Sequence, residues 1–372
     1  MAVSLENMKR IVIIANNSEG LFDFRGMLIQ GLIGKGYGVT AVTPFDTKIE
    51  ELEQLGVDLI KTDINRRGIN IKEDFRLVCE YKKILKKLKP DFVITYTIKP
   101  NIYAGFVCRL FNIPYIVNIT GLGTAFQSDN LLKRIVVHMY KIALKKVKLV
   151  FFENIDNRKT FVDLKITSID KTHVLNGAGV DLEYFKQLDY IKKDEIRFLF
   201  IGRVMKEKGI NELFYAINKL RKDDINCQLD ILGGFEEDYL DVINILEEKR
   251  IVNYKGYQQD VRPYIQRADC FVLPSWHEGM ANTNLECAAS GRPIITSNIN
   301  GCKEAVIEGK SGLLCNPNDP EDLYEKMKVF CNMTFDERKR MGICGRAHME
   351  EVFDKKKVVA DTIQSIEQVL KL

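Results

Sequence analysis

Histidine and tryptophan are scarce in this chain of 372 residues, with four of the first and one of the second. The histidines stand isolated in sequence, so little is available for acid/base chemistry built on imidazole. The nine cysteines never fall into a Cys-x-x-Cys pair. An odd, dispersed set argues for reduced thiols in a cytoplasmic chain, and against disulfides or a zinc site. Apolar runs are only strand-sized, which excludes a membrane-spanning helix. No signal peptide is expected either, because Lys9-Arg10 precede only the short run Ile11–Ala15. Low-complexity tracts and tandem repeats are absent. No nucleic-acid partner is expected.

What is present alternates strand and helix throughout, the pattern of parallel sheets covered by helices. Strands are predicted at Arg10–Ala15, Val39–Val42, Asp91–Tyr96, Pro114–Ile119 and Leu149–Glu153. A second series is predicted at Arg197–Gly202, Gln228–Gly233, Asp269–Pro274 and Pro293–Ser297. The polar segment Lys186–Glu195 separates two halves and reads as a linker. The expected architecture is therefore α/β, with two doubly wound domains, 1–185 and 196–356, and a cleft between them.

The most informative stretch is Glu278-Gly-Met-Ala-Asn-Thr-Asn-Leu-Glu286, which follows the strand-like run Cys270–Ser275. Gly279 admits a close backbone approach, and Met280, Ala281, Asn282 and Thr283 lead into a helix start whose free N–H groups suit a phosphate. One turn on, the Glu286 carboxylate is placed to accept from two neighbouring hydroxyls, while Glu278 faces what lies beyond the phosphates. A diphosphate with a hydroxylated ring at each end, as in a sugar nucleotide, is the implied ligand. A second motif, Gly202-Arg203-Val-Met-Lys-Glu-Lys208-Gly209, puts two cations on one strand-to-helix loop. Arginine offers a planar fork for phosphate oxygens and lysine a mobile point charge. Gly233 after Cys227–Leu232, and Tyr257 after Gly256, repeat the strand-end pattern.

Together with Gly291-Arg-Pro293, Gly301–Glu304 and Gly312–Pro317, these motifs resemble family 4 of the retaining glycosyltransferases, whose signature is two glutamates separated by seven residues. The resemblance implies a GT-B fold of two Rossmann-like domains, with a last helix, here 357–372, crossing back to the first. It also implies that Arg203 and Lys208 neutralise the departing diphosphate, that Gly233 and Tyr257 border the base, and that neither a divalent metal nor a cofactor takes part. Glu278 would orient the donor sugar and Glu286 hold the nucleotide. Thr95–Tyr103 and Asn118–Thr124 resemble a bacterial subset that builds capsule, O-antigen or glycoprotein glycans on a polyprenyl diphosphate. The acceptor half is expected to use Ser18, Glu19, Lys99, Asn118 and Thr120. Many relatives carry a histidine where Thr120 stands, so no histidine role carries over.

Residues 1–185 carry 27 Lys and Arg against 20 Asp and Glu, leaving 28 against 31 in the remainder. On a helix through 131–148, Lys133, Arg134, Lys141, Lys145 and Lys148 fall on one face, opposite Leu132, Ile135, Val136, Met139 and Ala143. That face suits the anionic inner surface of a cytoplasmic membrane. Two other readings remain open: a non-hydrolysing sugar-nucleotide epimerase of the same architecture, and an inactive scaffold that binds a nucleotide sugar.

Overall fold

The computed structural model describes residues 8–65, 70–126 and 131–371. The chain divides into two compact units, Met1–Ala178 with Lys356–Leu372 and Gly179–Lys355.

Unit 1 alternates β1 (Arg10–Ile14), α1 (Ser18–Gly34), β2 (Gly38–Thr43), α2 (Ile49–Gln54), β3 (Asp58–Lys61), α3 (Ile71–Leu88) and β4 (Phe92–Tyr96). It continues with α4 (Ile98–Phe111), β5 (Tyr115–Ile119), α5 (Leu131–Ala143), β6 (Leu149–Phe152), α6 (Ile155–Asp163) and β7 (Thr172–Val174). The seven strands are all parallel, in the order β3-β2-β1-β4-β5-β6-β7. Alternate residues of β1 feed opposite cores. Ile11 and Ile13 pack with Leu28, Ile29 and Leu32 of α1, while Val12 and Ile14 pack on the face of Leu77 and Tyr81 from α3. Asn17 caps α1 by accepting from the Gly20 amide at 2.5 Å, and Asn154 caps α6 through the Asn157 amide at 2.8 Å.

Unit 2 runs β8 (Ile196–Ile201), α7 (Ile210–Lys222), β9 (Cys227–Leu232), α8 (Leu240–Glu248), β10 (Val252–Tyr254), α9 (Arg262–Arg267) and β11 (Cys270–Leu273). After these come α10 (Asn282–Ala289), β12 (Ile294–Ser297), β13 (Gly312–Cys315), α11 (Pro320–Asn332) and α12 (Phe335–Val352). Its six parallel strands are ordered β10-β9-β8-β11-β12-β13. A last helix, α13 (Lys355–Leu370), places Val358, Ile363 and Ile366 in the α1 face of unit 1. Both sheets thus reverse direction beside their first strand, at β1/β4 and at β8/β11.

The nine predicted strands are present to within a residue or so, and four others were not anticipated. These four, β3, β7, β10 and β13, are the sheet edges. The segment 186–195, expected as a linker, is tied into unit 2. The buried Arg292 guanidinium donates to Leu188 O and Asp189 O, and Tyr190 donates its hydroxyl to Asp269 O at 2.8 Å. The partition accordingly falls at Ala178/Gly179, seventeen residues before β8 begins.

Helix α5 also ends earlier than expected, at Ala143. Lys145 lies beyond the helix and Lys148 leads into β6, its amide bonded to Tyr115 O. The five cations therefore do not form one helical face. Ile135, expected on the packed side, is exposed.

Candidate active site

Open α/β sheets hold ligands at the carboxyl ends of strands, where the strand order reverses. In unit 2 that point lies between β8 and β11, and the loops leaving these strands carry both sequence motifs. The β8 loop passes Gly202 and Arg203, makes a 3-10 turn at Lys206–Lys208 and enters α7 through Gly209. Gly209 has φ +72°, and a Cβ there would stand 2.1 Å from Pro274 O. Only glycine lets this loop lie on the one that follows β11. The contact brings Lys208 onto Glu278: the ammonium donates to the carboxylate, which also accepts from the Ser275 hydroxyl at 2.7 Å. Both charged side chains are mostly buried, at 20% and 12% exposure. Arg203 is placed differently. Its guanidinium is 54% exposed and reaches Glu236, on the β9 loop, at 3.3 Å.

Trp276, the only tryptophan, joins the two loops and escaped the sequence reading. Its amide donates to Glu207 O at 2.9 Å and its indole N–H to the buried Glu212 carboxylate at 3.2 Å, while the Lys206 ammonium lies 5.4 Å from its ring. A lone tryptophan in a loop carries no local signal of its role, because both anchors are more than sixty residues distant in sequence.

Helix α10 begins at Asn282 with Ala281 as its N-cap and no side-chain cap. Neither Asn282 nor Thr283 caps the helix. Among the described residues the amides of both lack a hydrogen-bond partner, so two donors of the first turn are left unspent by the fold. The Ala281 amide, expected among the free donors, is taken by Gly301 O at 2.7 Å. The side chains of Met280 and Ala281 are buried in the core, which leaves their backbone alone near the site. Gly301, at φ +87°, permits this packing, since a Cβ would stand 2.6 Å from Gly279 O. Replacing Gly301 with alanine is expected to displace Glu278 and Gly279. Transfer should fall at least tenfold with overall helicity by circular dichroism unchanged. Glu286 is half-buried on the second turn, and Tyr257 is exposed after β10.

In unit 1 the reversal lies between β1 and β4, and a cavity of about 250 Å³ opens there. Asn16 after β1, Thr97 and Lys99 after β4, and Thr120, Gly121 and Gly123 after β5 line it, with Ile64 and Ile98. Beneath it the Thr95 hydroxyl donates to Asn101 Oδ1 at 2.7 Å and Asn101 Nδ2 to Asn118 O at 2.8 Å. Asn118 Nδ2 in turn donates to Thr95 O at 3.2 Å. Asn118 is thus part of a buried floor rather than a ligand contact, a correction to the expectation. Ser18 is corrected likewise. It is fully buried, and its hydroxyl donates to Thr47 O while accepting from the amides of Asp46 and Thr47. Glu19 stands half-buried in the first turn of α1, and Lys99 and Thr120 line the cavity.

One charged pair at the same sheet edge was not foreseen. Arg25 of α1 binds Glu153, just past β6, at 2.6 Å and lies 4.7 Å from the Tyr96 ring. Burial pushes the Glu153 carboxyl up and Arg25 pulls it back. Arg25→Ala is expected to cost about 3 kcal/mol of stability near neutral pH, because it strands a mostly buried carboxylate. A folded-state pKa raised further favours the protonated acid. The deficit should therefore shrink as pH falls below the carboxylate range and grow as pH rises through it, as denaturant melts at several pH values would record.

Two family models match this chain: glycosyl transferase 4-like over residues 10–154, and glycosyl transferases group 1 over residues 195–332. The chain belongs to these glycosyltransferases. Among curated relatives it is 26% identical, over 97% of its own length and 99% of theirs, to the N,N'-diacetylbacillosaminyl-diphospho-undecaprenol alpha-1,3-N-acetylgalactosaminyltransferase of Campylobacter jejuni. It is 28% identical to the UDP-Gal:alpha-D-GlcNAc-diphosphoundecaprenol alpha-1,3-galactosyltransferase of Escherichia coli, over 68% of this chain and 69% of that one. Among solved structures, a glycosyltransferase from Rickettsia africae superposes with a TM-score of 0.80 at 19% identity, covering 98% and 99% of the two chains. Anabaena HepE in complex with UDP and glucose superposes with 0.77 at 14%, covering 97% and 100%. The fold of this glycosyltransferase is GT-B. The matches give the epimerase reading no support.

Proposed function

We propose that this glycosyltransferase moves a hexose or N-acetylhexosamine from a nucleoside diphosphate sugar, a UDP-sugar in the first instance, to a sugar carried on a polyprenyl diphosphate. The observation that carries the donor half is the Lys208–Glu278 pair at the unit 2 reversal point, beside the unpartnered amides of Asn282 and Thr283. Cation, carboxylate and helix start together match a sugar diphosphate, which needs positive charge at one end and hydroxyl acceptors at the other. Unit 2 would hold the donor, with Gly202, Gly233 and Tyr257 around the nucleoside and Glu286 on its hydroxyls; unit 1 would hold the acceptor. The polyprenyl-diphosphate acceptor is supported by the names of the two bacterial relatives, which also carry alpha-1,3 linkages.

In this reading the bond from the anomeric carbon to the diphosphate breaks with its electron pair going to the diphosphate. Arg203, Lys208 and the α10 amides stabilise that charge. The acceptor oxygen bonds to the anomeric carbon on the face the diphosphate leaves, and its proton passes to a phosphate oxygen. The configuration is retained. In the resting site Lys208 and Arg203 bind Glu278 and Glu236. The diphosphate takes over the Lys208 ammonium and frees Glu278 to orient the sugar. For the membrane, we place Lys133, Arg134 and Lys141 of α5, with Lys145 and Lys148 beyond it, near anionic headgroups. Leu131, Ile135 and Ile142 are exposed on the same segment. No helix among the described residues is long and apolar enough to cross a bilayer.

The test offers the protein UDP-, GDP- and ADP-sugars with a short-chain polyprenyl-diphosphate sugar, in EDTA. Mass gain on the lipid with one donor supports the reading, whereas epimerisation of free donor would replace it. Trp276 supplies a binding readout without chemistry. Its fluorescence should change on titration with UDP, and a flat titration alongside absent transfer would end the donor assignment.

A further inference from the structure

We propose that Glu212 is a positioning residue for the donor chemistry, acting through the Trp276 indole to hold the loop of Glu278 against the loop of Lys208; this rests on the donor reading above. Residues 274–281 lie between the end of β11 at Leu273 and the start of α10 at Asn282, and include no helix or strand. Glu278 stands in the middle of that stretch, so side-chain anchors set its position. The far end is fixed at Gly301, whose carbonyl takes the Ala281 amide at 2.7 Å. The near end is Trp276, two residues before Glu278. Its amide donates to Glu207 O at 2.9 Å, which joins one loop to the other, and the Ser275–Glu278 bond of 2.7 Å stays within one loop. The indole bond is different. At 3.2 Å it ties the loop to Glu212, on a helix.

Glu212 is a fixed point. It stands in the first turn of α7, buried at 6% exposure, and the helix around it buries Leu213, Ile217 and Leu220 completely. One carboxylate oxygen accepts from the indole, and among the described residues the other is buried with no hydrogen-bond partner. An unsatisfied buried polar atom is a standing cost to the fold. A glutamate that served only the helix start could turn both oxygens to water; this one is turned inward, onto Trp276. The clamp matters most when the donor binds. In the reading above, the diphosphate draws the Lys208 ammonium from Glu278, which loses that partner just as its direction begins to count. The Trp276–Glu212 bond is independent of that exchange and keeps the Glu278 loop in place through it. A misplacement of about 1 Å costs ~10²-fold in rate, so a slight slackening is enough to be seen.

The experiment measures kcat and donor KM for Glu212→Ala, Glu212→Gln, Trp276→Phe and Glu212→Ala/Trp276→Phe, with melting temperatures to report folding. Glu212→Ala and Trp276→Phe should each lower kcat at least about tenfold with donor KM nearly unchanged, because the groups that bind the nucleotide stay in place. Glu212→Gln keeps an acceptor for the indole and should recover most of the rate. The double variant should lose no more than the worse single one, since the two side chains form one clamp. Trp276, the only tryptophan, also reports the clamp without chemistry. Acrylamide should quench it more strongly in Glu212→Ala than in Glu212→Gln or the wild type. Losses that multiply in the double variant would overturn the proposal. So would a folded Glu212→Ala that keeps its kcat and only melts earlier, which would make Glu212 a helix-start acid. Where Glu212→Ala melts below the assay temperature, Trp276→Phe, which leaves α7 intact, carries the same expectation. Failure of the broader reading looks different. The wild type itself then transfers to no acceptor and releases no UDP from a UDP-sugar, which removes the reading and the proposal together.

Discussion

Replacing Arg203 and Lys208 together with alanine is expected to lower kcat by at least about 10³-fold, with a smaller effect on the Kd for UDP measured by Trp276 fluorescence. Removing one preorganised donor to a developing charge typically costs ~10²–10³ in rate. Two donors to the same diphosphate are not expected to add fully, because they act as a unit. The two single variants should differ. Arg203 is half-exposed and reaches Glu236 at 3.3 Å, so Arg203→Ala removes a charged clamp with little buried packing. Lys208 is mostly buried against Glu278, so Lys208→Ala also takes the cation from that carboxylate and leaves it the Ser275 hydroxyl. Lys208→Ala should therefore be the more damaging, and it should disturb sugar selectivity as well as rate. Near-wild-type transfer by the double variant would falsify the mechanism, since these are the two cations it assigns to the departing diphosphate.

Arg292→Ala is expected to destabilise unit 2 by about 3–5 kcal/mol, because it empties a buried site and leaves several buried carbonyl oxygens short of a donor. Arg292 is 1% exposed, and among the described residues no carboxylate lies in its hydrogen-bond shell. Instead its guanidinium donates to five carbonyl oxygens: Ile265 at 2.8 Å, Asp189 at 2.9 Å, Gln266 at 3.2 Å, and Leu188 and Gly291 at 3.4 Å. Ile265 and Gln266 are in the last turn of α9, where the helix dipole is negative, and Ile265 O also accepts from the Ala268 amide at 3.2 Å. Burial pushes the guanidinium pKa down, against the attraction of Tyr190 and Asp269. Truncation strands these acceptors in a dry interior and opens a cavity. It also releases segment 186–195. Thermal melts should record a loss of roughly 10 °C. Arg292→Lys should recover only part of it, because three donors on a point charge do not span five acceptors. Donor KM at 25 °C should stay unchanged while the protein is folded, since Arg292 touches none of the motif loops. A melting temperature within a degree or two of wild type would show that the carbonyl shell is dispensable.

Local sequence pattern stops short of the sheet edges. The nine predicted strands are those with continuous apolar runs, such as Phe92–Tyr96 and Tyr115–Ile119, both buried along their whole length. The four missed ones lie at sheet edges, where one side of the ladder and part of each face meet solvent. Asp58–Lys61 and Thr172–Val174 contain no fully buried residue. Asn118 and Ser18 were misassigned for a related reason. A polar side chain at a strand end looks the same in sequence whether it turns outward to a ligand or inward to a neighbouring backbone. Helix α5 was extended too far because Lys145 and Lys148 keep the helical period after the helix has ended.

Sequence by itself determined the alternation of strands and helices, the two halves, and the two loops that carry Gly202–Gly209 and Glu278–Glu286. Each of these is written within about ten consecutive residues, as apolar period, turn glycines and helix-start chemistry. Tertiary structure alone decided what those loops do to one another. Lys208 meets Glu278 seventy positions away. Trp276 ties the loops together through Glu207 and Glu212. Lys99 reaches Asp74 across two elements, and Arg292 anchors a segment about a hundred residues upstream. These partners are selected by close packing of the sheets and their helices. A charge finds its counter-ion wherever burial makes an unpaired one too costly, and no local pattern encodes that place.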